Sequence, residues 1–144
     1  QQPTGAAMAA ENCSPHFLLM AIFLGFLFSP TAADYVLYPG ASLFPGQSLA
    51  QGNHSLVMQG DCNLVLYHSS RPVWASQTYG WVSGCHVTMQ RDGNLVVYNA
   101  GGGAVWSSGT QRCSGDYVLV LNPDGDAVIY GRSIWATGTG TGTG

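Results

Sequence analysis

Two stretches of this chain carry the same polar side chains at the same spacing, Gln-x-Asp-x-Asn-x-Val-x-Tyr. The first comprises Gln59, Asp61, Asn63, Val65 and Tyr67, and the second Gln90, Asp92, Asn94, Val96 and Tyr98. An altered third copy reads Asn122, Asp124, Asp126, Val128 and Tyr130. Asp supplies a charged acceptor, Asn and Gln supply amide donors and acceptors, and Tyr supplies a hydroxyl. Such a set suits a neutral ligand whose hydroxyls both donate and accept, with Val beneath its apolar C–H face. The chemistry fits a sugar. A shallow site built on a few bonds that compete with water binds in about the millimolar range.

The spacing also dictates the elements that must hold these residues. Asp92-Gly93 and Asp124-Gly125 are hairpin-turn signals between strands rich in Val, Leu and Met. In the first copy Cys62 stands where the others have the turn glycine. Period-two alternation sends Asn94, Val96 and Tyr98 to one face and Leu95 and Val97 to the other. It likewise groups Asn63, Val65 and Tyr67 against Leu64 and Leu66. The turn then brings Gln and Asp beside them, so all five motif residues face one groove.

The copies start 31 and 32 residues apart, at Gln59, Gln90 and Asn122, and each is followed by a tryptophan: Trp74, Trp106 or Trp135. A period near 30 with one aromatic per unit predicts three similar β units around a common centre. Three units are too few for a solenoid, so a closed pseudo-threefold arrangement follows. The tryptophans are expected near its axis as core anchors rather than as ligand-stacking groups. No 3.6-residue apolar stripe persists after residue 34.

With 144 residues the chain has room for one ordinary domain. Four Lys and Arg in total and a net charge of -3 exclude a basic footprint for nucleic acid or an anionic membrane. Only 8% of residues are charged, yet 46% are hydrophobic, which calls for a packed core under an uncharged polar surface. The apolar run Phe17 to Phe28, followed by Thr31-Ala32-Ala33, reads as a secretory signal peptide, although no Lys or Arg precedes it. The expected division is 1–33 as upstream remnant plus signal peptide, 34–137 as the domain, and 138–144 as a Gly/Thr-rich flexible tail. Neither membrane insertion nor a cofactor is expected, and the localisation expected is secreted, extracellular or vacuolar.

Export to an oxidising compartment makes the cysteines potential disulfides. Removal of Cys13 with the leader leaves Cys62, Cys85 and Cys113, an odd count that predicts one thiol free or shared between chains. Cys85 lies in the linker before the second unit and is the natural partner of Cys62; pairings with Cys113 are the alternative. No Cys-x-x-Cys occurs, so no zinc site is expected. Asn53-His54-Ser55 matches a glycosylation sequon. An enzyme is disfavoured because a glycosidase needs two carboxylates across one bond, and each intact motif holds one. His54, His68 and His86 have no nucleophile partner in a recognisable motif and read as surface or strand residues.

From about Asp34 to Gly138 the chain resembles the bulb-type mannose-binding lectins of monocot plants, the snowdrop agglutinin family, on the repeated motif and its Trp-Ala-Ser/Thr followers. The resemblance implies an all-β fold, the β-prism II, with three four-stranded antiparallel sheets and one sugar site per sheet. It implies that Gln, Asp, Asn and Tyr bind mannose O2, O3 and O4 while Val packs on the ring. Asp and Asn would grip the axial O2 that separates mannose from glucose. It also places the family's intrachain disulfide at Cys62 and Cys85. The partners it implies are mannose and high-mannose glycoproteins, in a homodimer or tetramer formed by exchange of the strand at Ser133 to Thr137. Plant defence by multivalent cross-linking is the expected role. The alternative is a defence, storage or taste-modifying protein whose sugar binding has weakened.

The third copy departs from this pattern. Asn122 is one methylene shorter than Gln, Asp126 replaces an amide donor beside Asp124, and Pro123 removes a backbone donor. This site is expected to bind mannose poorly or not at all. Asp124 and Asp126 as a calcium pair fall far short of the about six to eight oxygens that ion takes.

Overall fold

The structure, a computed structural model, describes residues 34–80, 83–131 and 135–136. The leader at 1–33 and the tail at 138–144 lie outside the described residues. Among the described residues twelve strands run in order: β1 (Val36–Leu37), β2 (Ser42–Leu43), β3 (Ser48–Gln51), β4 (His54–Met58), β5 (Leu64–His68), β6 (Arg71–Ala75), β7 (His86–Met89), β8 (Leu95–Tyr98), β9 (Ala104–Ser107), β10 (Val118–Leu121), β11 (Ala127–Tyr130) and β12 (Trp135–Ala136). They form three four-stranded sheets, β3-β4-β5-β6, β2-β7-β8-β9 and β1-β10-β11-β12. All pairings are antiparallel.

Each repeat supplies three consecutive strands of one sheet, and the segment before the first repeat supplies the fourth strand of all three. That segment advances in steps of six residues, with Leu37, Leu43 and Leu49 followed by Gly40, Gly46 and Gly52. The leucines are 2%, 0% and 0% exposed, one inside each sheet. The glycines at the first two corners have φ of 81° and 85°, a region open to glycine. Their N–H groups donate to the Met89 and Met58 carbonyls. The chain thus stitches the sheets together before any repeat begins.

The inward faces follow the expected alternation. Leu56, Met58, Leu64, Leu66, Val87, Met89, Leu95, Val97, Leu119, Leu121 and Ile129 are all buried in one core. Trp74, Trp106 and Trp135 occupy the same register position, opposite Leu66, Val97 and Ile129. Trp74 and Trp106 pack on that core and meet edge to face, with centroids 5.7 Å apart. Their position is the axial one that the repeat predicted.

Cys62 and Cys85 form a disulfide with a Cα–Cα distance of 5.2 Å, tying the first repeat's hairpin turn to the segment before β7. Both are buried, at 0% and 1% exposure. Cys113 is disulfide-bonded as well, so the odd thiol expected from the sequence is absent among the described residues. Closing 23 residues of chain removes entropy from the unfolded state. The Cys62→Ala/Cys85→Ala variant is therefore expected to unfold with about 3 kcal/mol less stability, read from urea denaturation; an unchanged midpoint would contradict this.

Candidate functional site

Each site starts at a hairpin turn. In the second repeat the Gln90 N–H donates to Asn94 O at 2.9 Å, and the Gly93 N–H donates to Gln90 O at 3.1 Å. This is a three-residue loop closed by a residue in the left-handed region, a bulge that aims the following side chain. That residue is Cys62, Gly93 or Gly125, with φ of 75°, 82° and 90°. Cys62 adopts a glycine's conformation while its sulfur holds the crosslink. Gly125 could not be replaced as readily, because a Cβ there would overlap the His54 imidazole.

Within the loop one oxygen of each aspartate accepts a backbone N–H two residues ahead. Asp61 Oδ1 takes Asn63 N, Asp92 Oδ1 takes Asn94 N, and Asp124 Oδ1 takes Asp126 N, each at 3.0 Å. The aspartate is thereby locked against the turn, with its second oxygen left for a ligand.

The asparagines are oriented by residues that the motif does not contain. Asn63 Oδ1 accepts from Ser76 Oγ and from the Thr78 N–H, both at 3.2 Å. Asn94 Oδ1 accepts from Ser108 Oγ at 3.1 Å and from the Gly109 and Thr110 N–H groups at 3.1 and 3.3 Å. Ser76 Oγ lies 2.7 Å from Thr78 Oγ1, and Ser108 Oγ 2.7 Å from Thr110 Oγ1, so the single serine proton is shared between its threonine and its asparagine. Thr78 Oγ1 also donates to Cys62 O at 2.6 Å, and Thr110 Oγ1 to Gly93 O at 2.7 Å. With Oδ1 occupied, each amide must present its NH2 group outward as a pure donor. The signal for these positioning residues was Trp-x-Ser-x-Thr, repeated as Trp74-Ser76-Thr78 and Trp106-Ser108-Thr110. In the third repeat Thr137 and Thr139 hold the same spacing but lie outside the described residues.

The far end of each groove is a Gln–Tyr pair. Gln59 Nε2 donates to Tyr67 OH at 2.6 Å, and Gln90 Nε2 donates to Tyr98 OH. Each tyrosine keeps its own proton for a ligand. Between the two ends lie Val65 and Val96, each 3% exposed, forming the apolar floor. The structure brings all five residues of each intact motif into one groove.

The third groove is assembled on the same plan but with altered chemistry. Asn122 Nδ2 donates to Tyr130 OH at 3.0 Å, while Tyr130 OH donates back to Asn122 Oδ1 at 3.3 Å. The shorter amide thus engages the tyrosine proton that the intact sites leave available. Asp126 occupies the asparagine position, so an acceptor remains but the outward NH2 is lost. Pro123 occupies the first loop position, where the turn asks for no donor, so it costs the turn nothing. Among the described residues no group of three or more His, Cys, Asp or Glu is placed to hold a metal ion.

No protein-family model matches the chain. Individual relatives do. A mannose-specific lectin of Aloe arborescens is 48% identical over 108 residues, covering 74% of this chain and 99% of the relative. One from Galanthus nivalis is 46% identical over 125 residues, covering 87% and 80%. A monomeric monocot mannose-binding lectin from Gastrodia elata superposes with a TM-score of 0.72 at 50% identity, covering 75% of this chain and 99% of that one. The snowdrop agglutinin in complex with methyl-α-D-mannoside gives 0.67 at 48% identity, covering 76% and 100%. The shared β-prism and near-complete coverage of these relatives show that the chain belongs to the monocot mannose-specific lectins, carbohydrate-binding proteins rather than enzymes.

Proposed function

We propose that this protein binds terminal α-D-mannose on high-mannose glycans through two sites, Gln59–Tyr67 and Gln90–Tyr98, with the third site inactive. The observation that carries this reading is the matched hydrogen-bond pattern of the two intact grooves. In both, internal bonds fix one Asp oxygen, the Asn oxygen and the Gln NH2, so the same groups point outward. An Asp acceptor beside an Asn donor suits a hydroxyl that both donates and accepts, the role assigned to the axial O2 of mannose. Relatives solved with methyl-α-D-mannoside, a monomannoside and trimannose support that ligand class.

Two sites on different sheets make a single chain bivalent, so weak sites gain avidity on clustered glycans. The strand offered for exchange by the family resemblance, β12, pairs with β11 of its own chain. Cross-linking therefore needs no second chain, although strand-exchanged dimers would multiply it. Secretion and a defensive role against glycan-bearing organisms complete the reading, resting on the apolar leader and on the ligand class.

Titration of the labelled protein with methyl α-D-mannoside, followed by NMR, tests this. Amide shifts around Asn63 and Asn94 should move with dissociation constants in about the millimolar range, while those around Asp126 stay still. Methyl α-D-glucoside, which lacks the axial hydroxyl, should move neither. Equal response to both sugars would overturn the assignment.

A further inference from the structure

One sequence motif stands outside both the grooves and the core. Asn53-His54-Ser55 is the only Asn-x-Ser/Thr between residues 34 and 144, so it occurs on one sheet of three. It sits at the β3–β4 hairpin, whose two-residue loop is Gly52–Asn53 between the paired residues Gln51 and His54. Gly52 takes φ 58°, the positive value that such a loop asks of its first position. Asn53 follows at the tip, exposed, and its side chain makes no hydrogen bond among the described residues. The backbone beneath it is fixed, because the Asn53 carbonyl accepts the Ser69 N–H at 2.6 Å. His54 turns inward and stacks on His68 with centroids 4.6 Å apart, which leaves Ser55 on the outward face opposite Tyr67. A Cβ built on Gly52 would meet nothing within 4 Å, so the space around the tip is open. The register-equivalent residues in the other two sheets are Gly84 and Asp116, which offer no amide side chain.

We propose that Asn53 carries an N-linked oligomannose glycan, through which one copy of this chain is bound by the mannose grooves of another. This inference rests on the mannose and secretion readings above. An N-glycan is transferred as an oligomannose tree, whose arms end in α-linked mannose once its glucose caps are trimmed. That is the class of sugar the grooves are read to take. So bulky a group is compatible with folding only where the amide stays in solvent, and Asn53 meets that condition. Geometry favours a second copy over the same chain. Asn53 lies two residues beyond Ser55, the residue opposite Tyr67, or about 7 Å along the strand. That distance is shorter than the three-ring stem from which the mannose arms branch, so the arms begin beyond the chain's own first groove. One ligand and two grooves per copy make the contact head-to-tail, and it extends from copy to copy. Each link is weak, so association grows with concentration and with the number of mannose arms.

Secretion of the full chain from a eukaryotic host, with mannose trimming blocked, tests the proposal. The native chain should carry a glycan that endoglycosidase H removes, read by mass, while Asn53→Gln and Ser55→Ala should emerge without one. Both changes lie on a turn or an outward strand face, and unchanged thermal unfolding shows the fold intact. Beads coated with the deglycosylated chain should retain the glycosylated chain about tenfold better than either variant. Excess methyl α-D-mannoside should release it, and methyl α-D-glucoside should not. A native chain without sugar at Asn53 would overturn the proposal, and so would retention that is equal with and without the glycan. Retention undiminished on beads coated with Asp61→Ala/Asp92→Ala would sink it too, because the contact would then bypass the grooves. Titration of the deglycosylated chain with methyl α-D-mannoside is read separately: no binding there removes the mannose reading itself, whatever mass Asn53 carries.

Discussion

Alanine at both Asp61 and Asp92 is expected to abolish mannose binding, while either change alone removes one site and leaves the other untouched. Each aspartate uses one oxygen to close its turn and presents the other outward. Loss of a hydrogen bond to a charged group costs about 1.5–3 kcal/mol, or roughly ten- to a hundredfold in affinity. A site that starts near millimolar then falls out of reach of any titration. Because the same side chain caps the turn, alanine also loosens the loop by about 1 kcal/mol. Aspartate-to-asparagine variants separate the two effects, since an amide oxygen can keep the turn bond while the outward acceptor becomes a donor. They should retain native stability and still fail to bind, as read by thermal unfolding and by NMR titration. Undiminished mannose binding in the double alanine variant would sink the site assignment.

Single variants also report on assembly. Asp92→Ala leaves one intact groove per chain, and a monomer with one groove cannot bridge two cells. A strand-exchanged dimer would still have two grooves and would keep agglutinating. Agglutination by Asp92→Ala, compared with its mass in solution, therefore decides whether β12 stays in its own sheet or changes partners.

Much of this was open to reading in the sequence because the motif is periodic at two levels. Alternation within each strand separates Asn94, Val96 and Tyr98 from Leu95 and Val97, and the longer period near 30 carries the same hairpin to three sheets. Turn chemistry was legible too: Cys62 stands in a glycine's place and takes a glycine's φ. What escaped was whatever lacks a strand-length pattern. The strands β1 and β2 are two residues long, too short for alternation to show, and only the six-residue Leu–Gly step betrays that they serve different sheets. Ser76, Thr78, Ser108 and Thr110 act by hydrogen bonds across 13 to 16 residues of sequence, so the repeated Trp-x-Ser-x-Thr marks their positions without showing which side chains they orient. The stacking of His86 between Phe44 and Tyr98 was equally hidden, since the three rings are far apart in sequence.

The third groove should regain binding in the Asn122→Gln/Asp126→Asn variant, giving three responsive sites where the native protein has two. Its described parts match the intact sites: the same loop closes with Gly125 at φ 90°, and Val128, 7% exposed, forms the same floor. Two chemical faults remain, and each substitution corrects one. Asn122 sits side-on to Tyr130 and takes up its proton, whereas glutamine can reach the hydroxyl end-on through Nε2, as Gln59 does with Tyr67 at 2.6 Å. Asp126 places a second carboxylate in a turn that already holds Asp124, and asparagine both restores the outward NH2 and removes the like charge. The two corrections serve different hydroxyls of one sugar, so neither alone should rescue more than a fraction of the affinity. Pro123 need not be changed, because its loop position asks for no donor. Methyl α-D-mannoside titration should then move amides around position 126 with a dissociation constant within about tenfold of those at Asn63 and Asn94. If the double variant stays silent there while folding normally, the outward Asn NH2 and the free Tyr proton are not what separates the working grooves from the third.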